Sequence, residues 1–206
     1  LLAYYVATVN IETTYSKVAK TTKYVPFEGM NYTDTLRLNS QFRKEVRHRG
    51  EDLSIDNTFK IAHQRVRHQK GAHLHVIMGN PPYSKGQSNF DDNNPNIKYP
   101  EIDNRITNTY GKKTTVTAKN SLFDSYVRSL RWASDRIDDT GIIAFITNAS
   151  FIRSGTFNGL RACIEEEFSD IWCFDLRGDA YTSGEQRRIE KGNIFGEGSR
   201  TPVAII

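Results

Sequence analysis

The sequence has no long apolar run, few cysteines and no complete metal-ligand motif. Its strictly apolar runs are short, as in Ile142–Ile146, whereas a membrane-spanning helix needs about 20 apolar residues. Cys163 and Cys173 form no Cys-X-X-Cys pair, so the cysteine content indicates neither a disulfide framework nor a zinc site. We therefore expect a protein of a reducing compartment, the cytoplasm, without a bound metal.

The composition is that of a folded chain with a mildly basic charge. Of the 206 residues, 37% are hydrophobic and 25% are charged, and the net charge is +4. This balance argues against wholesale disorder and is compatible with a polyanionic partner without requiring one. The sequence starts within a helical pattern and ends within a strand-like run, so we expect residues 1–206 to be part of a larger domain.

Short apolar runs alternate with helical patterns along the chain. The predicted strands lie within residues 24–38, 75–78, 142–146, 170–176 and 201–206. The predicted helices span residues 1–10, 122–137 and 157–168, where apolar residues recur at helical spacing. Such alternation favours an α/β fold with parallel strands. The first helix is apolar enough to be buried, and the run Ile142–Ile146 is typical of a strand buried on both faces.

Residues 84–117 are rich in Asn, Asp, Lys, Thr and Gly and show no helix or strand periodicity. So long a structureless segment is uncommon in a compact domain. We therefore predict a polar insertion loop over 84–117. Because the segment contains lysines and tyrosines, contact with DNA is one option for it. Acidic side chains in the same segment, however, reduce its positive charge.

One short motif points to chemistry: Asn80-Pro81-Pro82-Tyr83, which directly follows a predicted strand. Ligands of open α/β sheets bind beyond the carboxyl ends of the strands. Two prolines fix φ and remove two N–H donors, which leaves nearby carbonyls without ladder partners. The Asn80 amide oxygen, the Pro81 carbonyl and the flat Tyr83 ring then suit an exocyclic amine on a planar heterocycle.

Such an amine is a poor nucleophile because its lone pair is delocalised into the ring. Two acceptors that hold its hydrogens favour the pyramidal geometry that attack requires, which stabilises the transition state. The competing interpretation is a Pro-Pro turn that merely closes the strand, with asparagine as a turn former.

The stretch Met78-Gly-Asn-Pro-Pro-Tyr83 resembles the catalytic motif of gamma-class N6-adenine DNA methyltransferases. Other stretches are similar to neighbouring motifs of that family: Tyr32-Thr-Asp34, Leu122–Val127, Gly141–Asn148, Asn193-Ile-Phe195 and Thr201–Ile205. Three stretches look, more narrowly, like the methyltransferase portion of Type ISP restriction-modification enzymes: Val6–Glu12, Arg128–Ala133 and Gly192–Gly196.

The resemblance implies a Rossmann-like, S-adenosylmethionine-dependent methyltransferase fold with a mixed, mostly parallel sheet. It also implies that the first strands, the glycine-rich cofactor loop and the ribose-binding acid precede Leu1. Residues 1–206 would then be a partial catalytic domain. Nuclease, helicase-like motor and target-recognition domains would belong to the same polypeptide.

The implied function is transfer of a methyl group from S-adenosylmethionine to the N6 amino group of an adenine flipped out of double-stranded DNA. By resemblance, the Asn80–Tyr83 motif is catalytic, Asp34 and Asn80 contact the cofactor, and Tyr83 and Phe195 stack on the base. A turn role for Asp34 and core packing for Phe195 are the competing interpretations. Two alternatives for the whole chain stay open. One is an inactive remnant that binds DNA or a partner, and the other is an Asn-Pro-Pro-Tyr methyltransferase acting on RNA or on a protein glutamine.

Overall fold

The computed structural model describes residues 2–31, 34–37, 57–83, 99–196 and 200–206. Its α-helices are Leu2–Val18 (α1), Asn57–Gly71 (α2), Pro100–Ile106 (α3), Ser125–Arg136 (α4), Ser150–Arg153 (α5), Asn158–Glu167 (α6) and Gly184–Glu190 (α7). Its strands are Val76–Gly79 (β1), Ile142–Asn148 (β2), Phe174–Arg177 (β3) and Val203–Ile205 (β4). The predicted α/β class is therefore confirmed. The chain divides into two compact units, Leu1–Ala72 and His73–Ile206.

The first unit contains α1, α2 and the segment between them. Glu12 on α1 accepts a hydrogen bond from the Phe27 N–H at 2.9 Å, which ties the following chain to the helix. Apolar residues lie all around α1, and within residues 1–10 Leu2 and Val9 are 78% and 59% exposed. The prediction of a buried first helix is therefore wrong for these residues. The described part of 24–38 forms turns and no strand. Among the described residues, no helix is long and apolar enough to cross a membrane.

The second unit is built on a four-stranded mixed sheet with the order β1-β2-β4-β3. Strands β1 and β2 are parallel, with Val76 opposite Ile142. Strand β4 is antiparallel to both β2 and β3, so three strands point one way and β4 the other. The carboxyl ends of β1, β2 and β3 therefore meet at one edge of the sheet, where ligands of α/β sheets bind.

Helices pack on one face of the sheet and enclose the core of this unit. Ile77 of β1 and Phe145 of β2 belong to a buried cluster with Tyr126 on α4 and Leu160 on α6. Side chains alternate between the two faces of a strand, and Ile142, on the other face, is 64% exposed. The prediction that this strand is buried on both faces is wrong for the described residues, because an apolar run does not specify what covers it.

Helix α3 and the π-helical turn Thr107–Gly111 that follows it lie within the segment predicted to be a loop. Residues 84–98 of that segment lie outside the described residues. For residues 100–111 the loop prediction is wrong. Three apolar residues spaced four apart bury one helical face although the surrounding segment is polar: Ile102, Ile106 and Tyr110.

Two buried arginines of α4 fix the neighbouring helices. Arg128 binds both carboxylate oxygens of Asp103 on α3, at 2.7 and 3.1 Å. Arg131 binds both oxygens of Glu167 on α6, at 2.8 and 3.0 Å. Because paired N–H···O bonds of this kind define orientation as well as distance, these helices are held in fixed register over the sheet.

Candidate active site

The Asn80–Tyr83 motif leaves the carboxyl end of β1. Gly79, the last residue of the strand, lies opposite Phe145 of β2. A Cβ at Gly79 would approach the Phe145 ring to 3.3 Å, so a larger residue would crowd the strand end. Asn80 comes next and is exposed, and within the described part of the chain its amide has no hydrogen-bond partner. This amide is therefore available to a ligand.

Pro81 is buried and Pro82 is exposed, while Tyr83 is partly buried. The Tyr83 hydroxyl is buried and has no hydrogen-bond partner among the described residues. Burial also raises the pKa of Tyr83 above that of a free tyrosine. The hydroxyl thus stays protonated at neutral pH, and in the described part of the chain the exposed feature of Tyr83 is its ring.

The ring of Phe195 lies beside that of Tyr83. The ring centres are 6.0 Å apart, and the ring planes are inclined by 39°. Phe195 is 51% exposed, which does not fit core packing, the competing interpretation of this residue. The structure therefore brings together the two residues that the sequence analysis assigns to base stacking.

Asn193 holds the turn that carries Phe195. Its Oδ1 accepts a hydrogen bond from the Phe195 N–H at 3.0 Å. Its Nδ2 donates to the carbonyls of Thr201 at 2.8 Å and Gly178 at 3.3 Å. Gly178 has a φ of +92°, and a Cβ there would lie 2.9 Å from Asn193 Nδ2, so the position demands glycine for both reasons.

Asn148, the last residue of β2, anchors the other ring-bearing loop. It is fully buried. Its Nδ2 donates to the Tyr83 carbonyl at 3.3 Å, and its Oδ1 accepts from the Ser150 N–H at 2.8 Å. Sequence reasoning assigned no role to Asn148 or Asn193. The local signal is an asparagine at a strand end or turn, which is too common in proteins to single out these two residues.

Glu190 stabilises the segment between β3 and Phe195 through the hydrogen bonds of its buried carboxylate. Its carboxylate, only 1% exposed, accepts hydrogen bonds from Arg153 at 3.0 Å, Gln186 at 3.1 Å and the Asp179 N–H at 3.2 Å. Burial alone would raise the pKa of Glu190. The three hydrogen bonds and the Arg153 charge outweigh that effect and hold the pKa below its ordinary value.

Asp34, the predicted cofactor ligand, lies in the first unit. Its side chain is exposed, and its Oδ1 accepts a hydrogen bond from the Leu36 N–H at 3.1 Å at the start of a short 3₁₀ turn. This geometry fits the turn role, and contact with a cofactor stays a prediction. Tyr32 and Thr33 of the same motif lie outside the described residues.

A family model described as "Eco57I restriction-modification methylase" matches residues 6–179 of the chain. No curated protein matches the chain.

Three solved structures resemble the chain over its full length. A nuclease-deletion mutant of the Type ISP restriction-modification enzyme LlaGI, in complex with a DNA substrate mimic, is 43% identical with a TM-score of 0.87. The ATP-dependent Type ISP restriction-modification enzyme LlaBIII, bound to DNA, is 40% identical with a TM-score of 0.85. DrdV, in a DrdV–DNA complex, is 38% identical with a TM-score of 0.82. The chain spans only 16%, 13% and 19% of these three proteins, respectively.

Proposed function

This chain belongs to the Eco57I restriction-modification methylase family, and from that premise we propose that it is part of a site-specific DNA methyltransferase acting on N6 of adenine. One observation carries the proposal. The Asn80–Tyr83 motif leaves the end of β1, the Asn80 amide has no partner among the residues that the structure describes, and the Tyr83 ring lies 6.0 Å from that of Phe195. The parallel pair β1–β2, joined through helices, supports a Rossmann-like fold.

The proposed chemistry uses two acceptors on one amine. The Asn80 Oδ1 and the Pro81 carbonyl accept hydrogen bonds from the adenine N6 amino group and favour its pyramidal, nucleophilic form. That amine is paired and stacked within duplex DNA, so the base must be flipped out to reach the motif. Tyr83 and Phe195 then hold the base through their ring faces. The two rings already lie at a contact distance. A base that enters between them therefore has to push the rings apart.

The family implies a methyl donor, and the chemistry of the described residues fits S-adenosylmethionine. Asp34 offers an exposed carboxylate that can accept hydrogen bonds from the amino group of the cofactor's adenine. Asn80 offers an amide at the strand end. When bound, the cofactor supplies a methyl group on a sulfonium centre that is open to nucleophilic attack. The protein itself binds the cofactor and the target base, orients the amine towards the methyl group and encloses both reactants.

Double-stranded DNA is the proposed partner, since LlaGI, LlaBIII and DrdV are each in complex with DNA or a DNA mimic. The chain spans less than a fifth of each relative. We accordingly propose that residues 1–206 are a partial catalytic domain. Nuclease, helicase-like motor and target-recognition domains would belong to the same polypeptide.

The test is methyl transfer by the full-length enzyme from tritiated S-adenosylmethionine to DNA, and in separate reactions to RNA and to protein, followed by separation of the labelled nucleosides or amino acids. We expect the label in N6-methyldeoxyadenosine. Asn80→Ala should lower the single-turnover rate by about 10²–10³ with DNA binding retained, because the amide acts on the transition state. Asn104→Ala, at an exposed asparagine of α3, serves as the matched control.

Other labelled products would contradict the proposal in different ways. Label in N4-methylcytosine would contradict the target base. Label in RNA or in a protein glutamine would identify another substrate class. An absence of transfer to any acceptor would favour the inactive, binding-only alternative.

A further inference from the structure

The loop that carries Tyr83 has few ways to bond to the sheet. Pro81 and Pro82 have no N–H, so the ladder of β1 cannot continue through them. Asn148 of β2 compensates for this by donating its Nδ2 hydrogen to the Tyr83 carbonyl at 3.3 Å. The opposite end of the same amide accepts the Ser150 N–H at 2.8 Å. Asn148 is fully buried, so its amide depends on these protein partners for its hydrogen bonds.

The turn that carries Phe195 is anchored in the same manner. The Asn193 Oδ1 accepts the N–H two residues further along, that of Phe195, at 3.0 Å. Its Nδ2 crosses to other segments, to the carbonyls of Thr201 at 2.8 Å and Gly178 at 3.3 Å. One side chain thus closes a local turn and also ties that turn to the start of β4 and the end of β3.

From these two anchors we infer that Asn148 and Asn193 are positioning residues for the methyl transfer proposed above, on which this inference rests. Both side-chain amides bond to backbone groups of the protein. Each fixes the backbone from which one stacking ring projects, Tyr83 in one case and Phe195 in the other. Reactive geometry tolerates little error, since a displacement of about 1 Å can cost about 10²-fold in rate. The long-range bond of each asparagine therefore contributes to the rate of transfer.

The test uses the full-length enzyme with Asn148→Ser and Asn193→Ser. A serine hydroxyl still accepts the N–H two residues on, but it is too short to reach the distant carbonyl, so only the long-range bond is lost. Asn158→Ser is the matched control, because the Asn158 amide donates to Thr115 Oγ1 at 2.6 Å, away from the ring pair. Asn193→Asp keeps the side-chain volume but lacks the N–H donor. It provides a second variant for the same measurement if a serine variant fails to fold.

Single-turnover methylation separates positioning from folding. Displaced rings lower the rate constant, whereas a misfolded fraction lowers only the amplitude. We expect the rate constant to fall roughly tenfold in both serine variants, with full amplitude and DNA affinity within about twofold. The Asn158→Ser control should match the wild type. Unchanged rate constants, a loss of amplitude alone, or an equal loss in the control would each overturn the inference.

A second readout separates this inference from the proposed function. With para-fluorophenylalanine at position 195, fluorine NMR reports the surroundings of that ring without any turnover. A shifted or broadened line in the Asn148→Ser and Asn193→Ser enzymes, but not in the Asn158→Ser enzyme, supports the positioning role. An unchanged line overturns it. If the wild-type enzyme methylates no DNA, the proposed function fails, and the fluorine spectra still decide the positioning role.

Discussion

Substitution of Tyr83 separates ring stacking from hydroxyl chemistry. The hydroxyl is buried and has no hydrogen-bond partner among the described residues. An unsatisfied buried polar group costs about 1–3 kcal/mol, so Tyr83→Phe removes a cost and should fold at least as stably as the wild type. Because the ring face is kept, Tyr83→Phe and Tyr83→Trp should stay substantially active.

Tyr83→Ala removes the ring itself. Stacking of a base on an aromatic side chain contributes about 1–3 kcal/mol, which corresponds to roughly a 5–150-fold change in an equilibrium. Base extrusion should therefore weaken by one to two orders of magnitude. Phe195→Ala should show a smaller loss of the same kind, since its ring is half exposed.

The assay places a fluorescent adenine analogue at the target position of the mapped recognition site and follows extrusion and single-turnover methylation in parallel. In the stacking account, the two signals fall together in Tyr83→Ala and persist together in Tyr83→Phe. If Tyr83→Phe abolished methylation while extrusion stayed intact, the hydroxyl would have a chemical role and the stacking account would be wrong.

Two further predictions concern the segment that carries Phe195. Gly178→Ala should destabilise it by about 1–3 kcal/mol, because alanine is strained at positive φ and its Cβ would collide with Asn193. Urea unfolding measures this, and Gly192→Ala, which meets nothing within 4 Å, should be neutral; equal losses would contradict the reasoning. Glu190→Gln should lower stability at neutral pH. The pKa of Glu190 is depressed in the folded state, so its contribution is complete above about pH 4.3 and is lost as the pH falls further. The wild type should therefore lose more stability than Glu190→Gln between about pH 5 and pH 3, and parallel pH profiles would refute this role.

The parts of the site that were predictable from sequence depend on local signals. The apolar run before Gly79 and the two prolines after it specify where β1 ends, and this places Asn80 at the carboxyl edge of the sheet. Helix α4 was equally readable, because its buried residues Tyr126 and Leu130 recur at helical spacing. In both cases one short stretch contains all the information that the prediction needs.

The errors arose where local composition competes with tertiary packing. Helix α3 lies in a segment of polar composition, and that overall composition obscures the helical spacing of Ile102 and Ile106. The apolar residues of α1 predicted burial. Burial also requires another element to pack on the helix, and the local sequence does not indicate whether one does. The ion pair of Arg128 with Asp103 joins residues 25 positions apart, and no local pattern in the sequence pairs them.

The anchors of the ring pair were unpredictable for a more specific reason. An asparagine that accepts the N–H two residues on is a common turn device, so the local half of each anchor carries no functional signal. The informative half joins Asn148 to Tyr83 across 65 residues and Asn193 to Gly178 across 15. The Asn148 bond exists only after β2 has paired with β1, and the Asn193 bonds exist only after the end of β3 and the start of β4 have come together. The proposed catalytic motif is therefore visible in four consecutive residues, whereas the spacing of the two rings that would hold the base is a property of the assembled sheet.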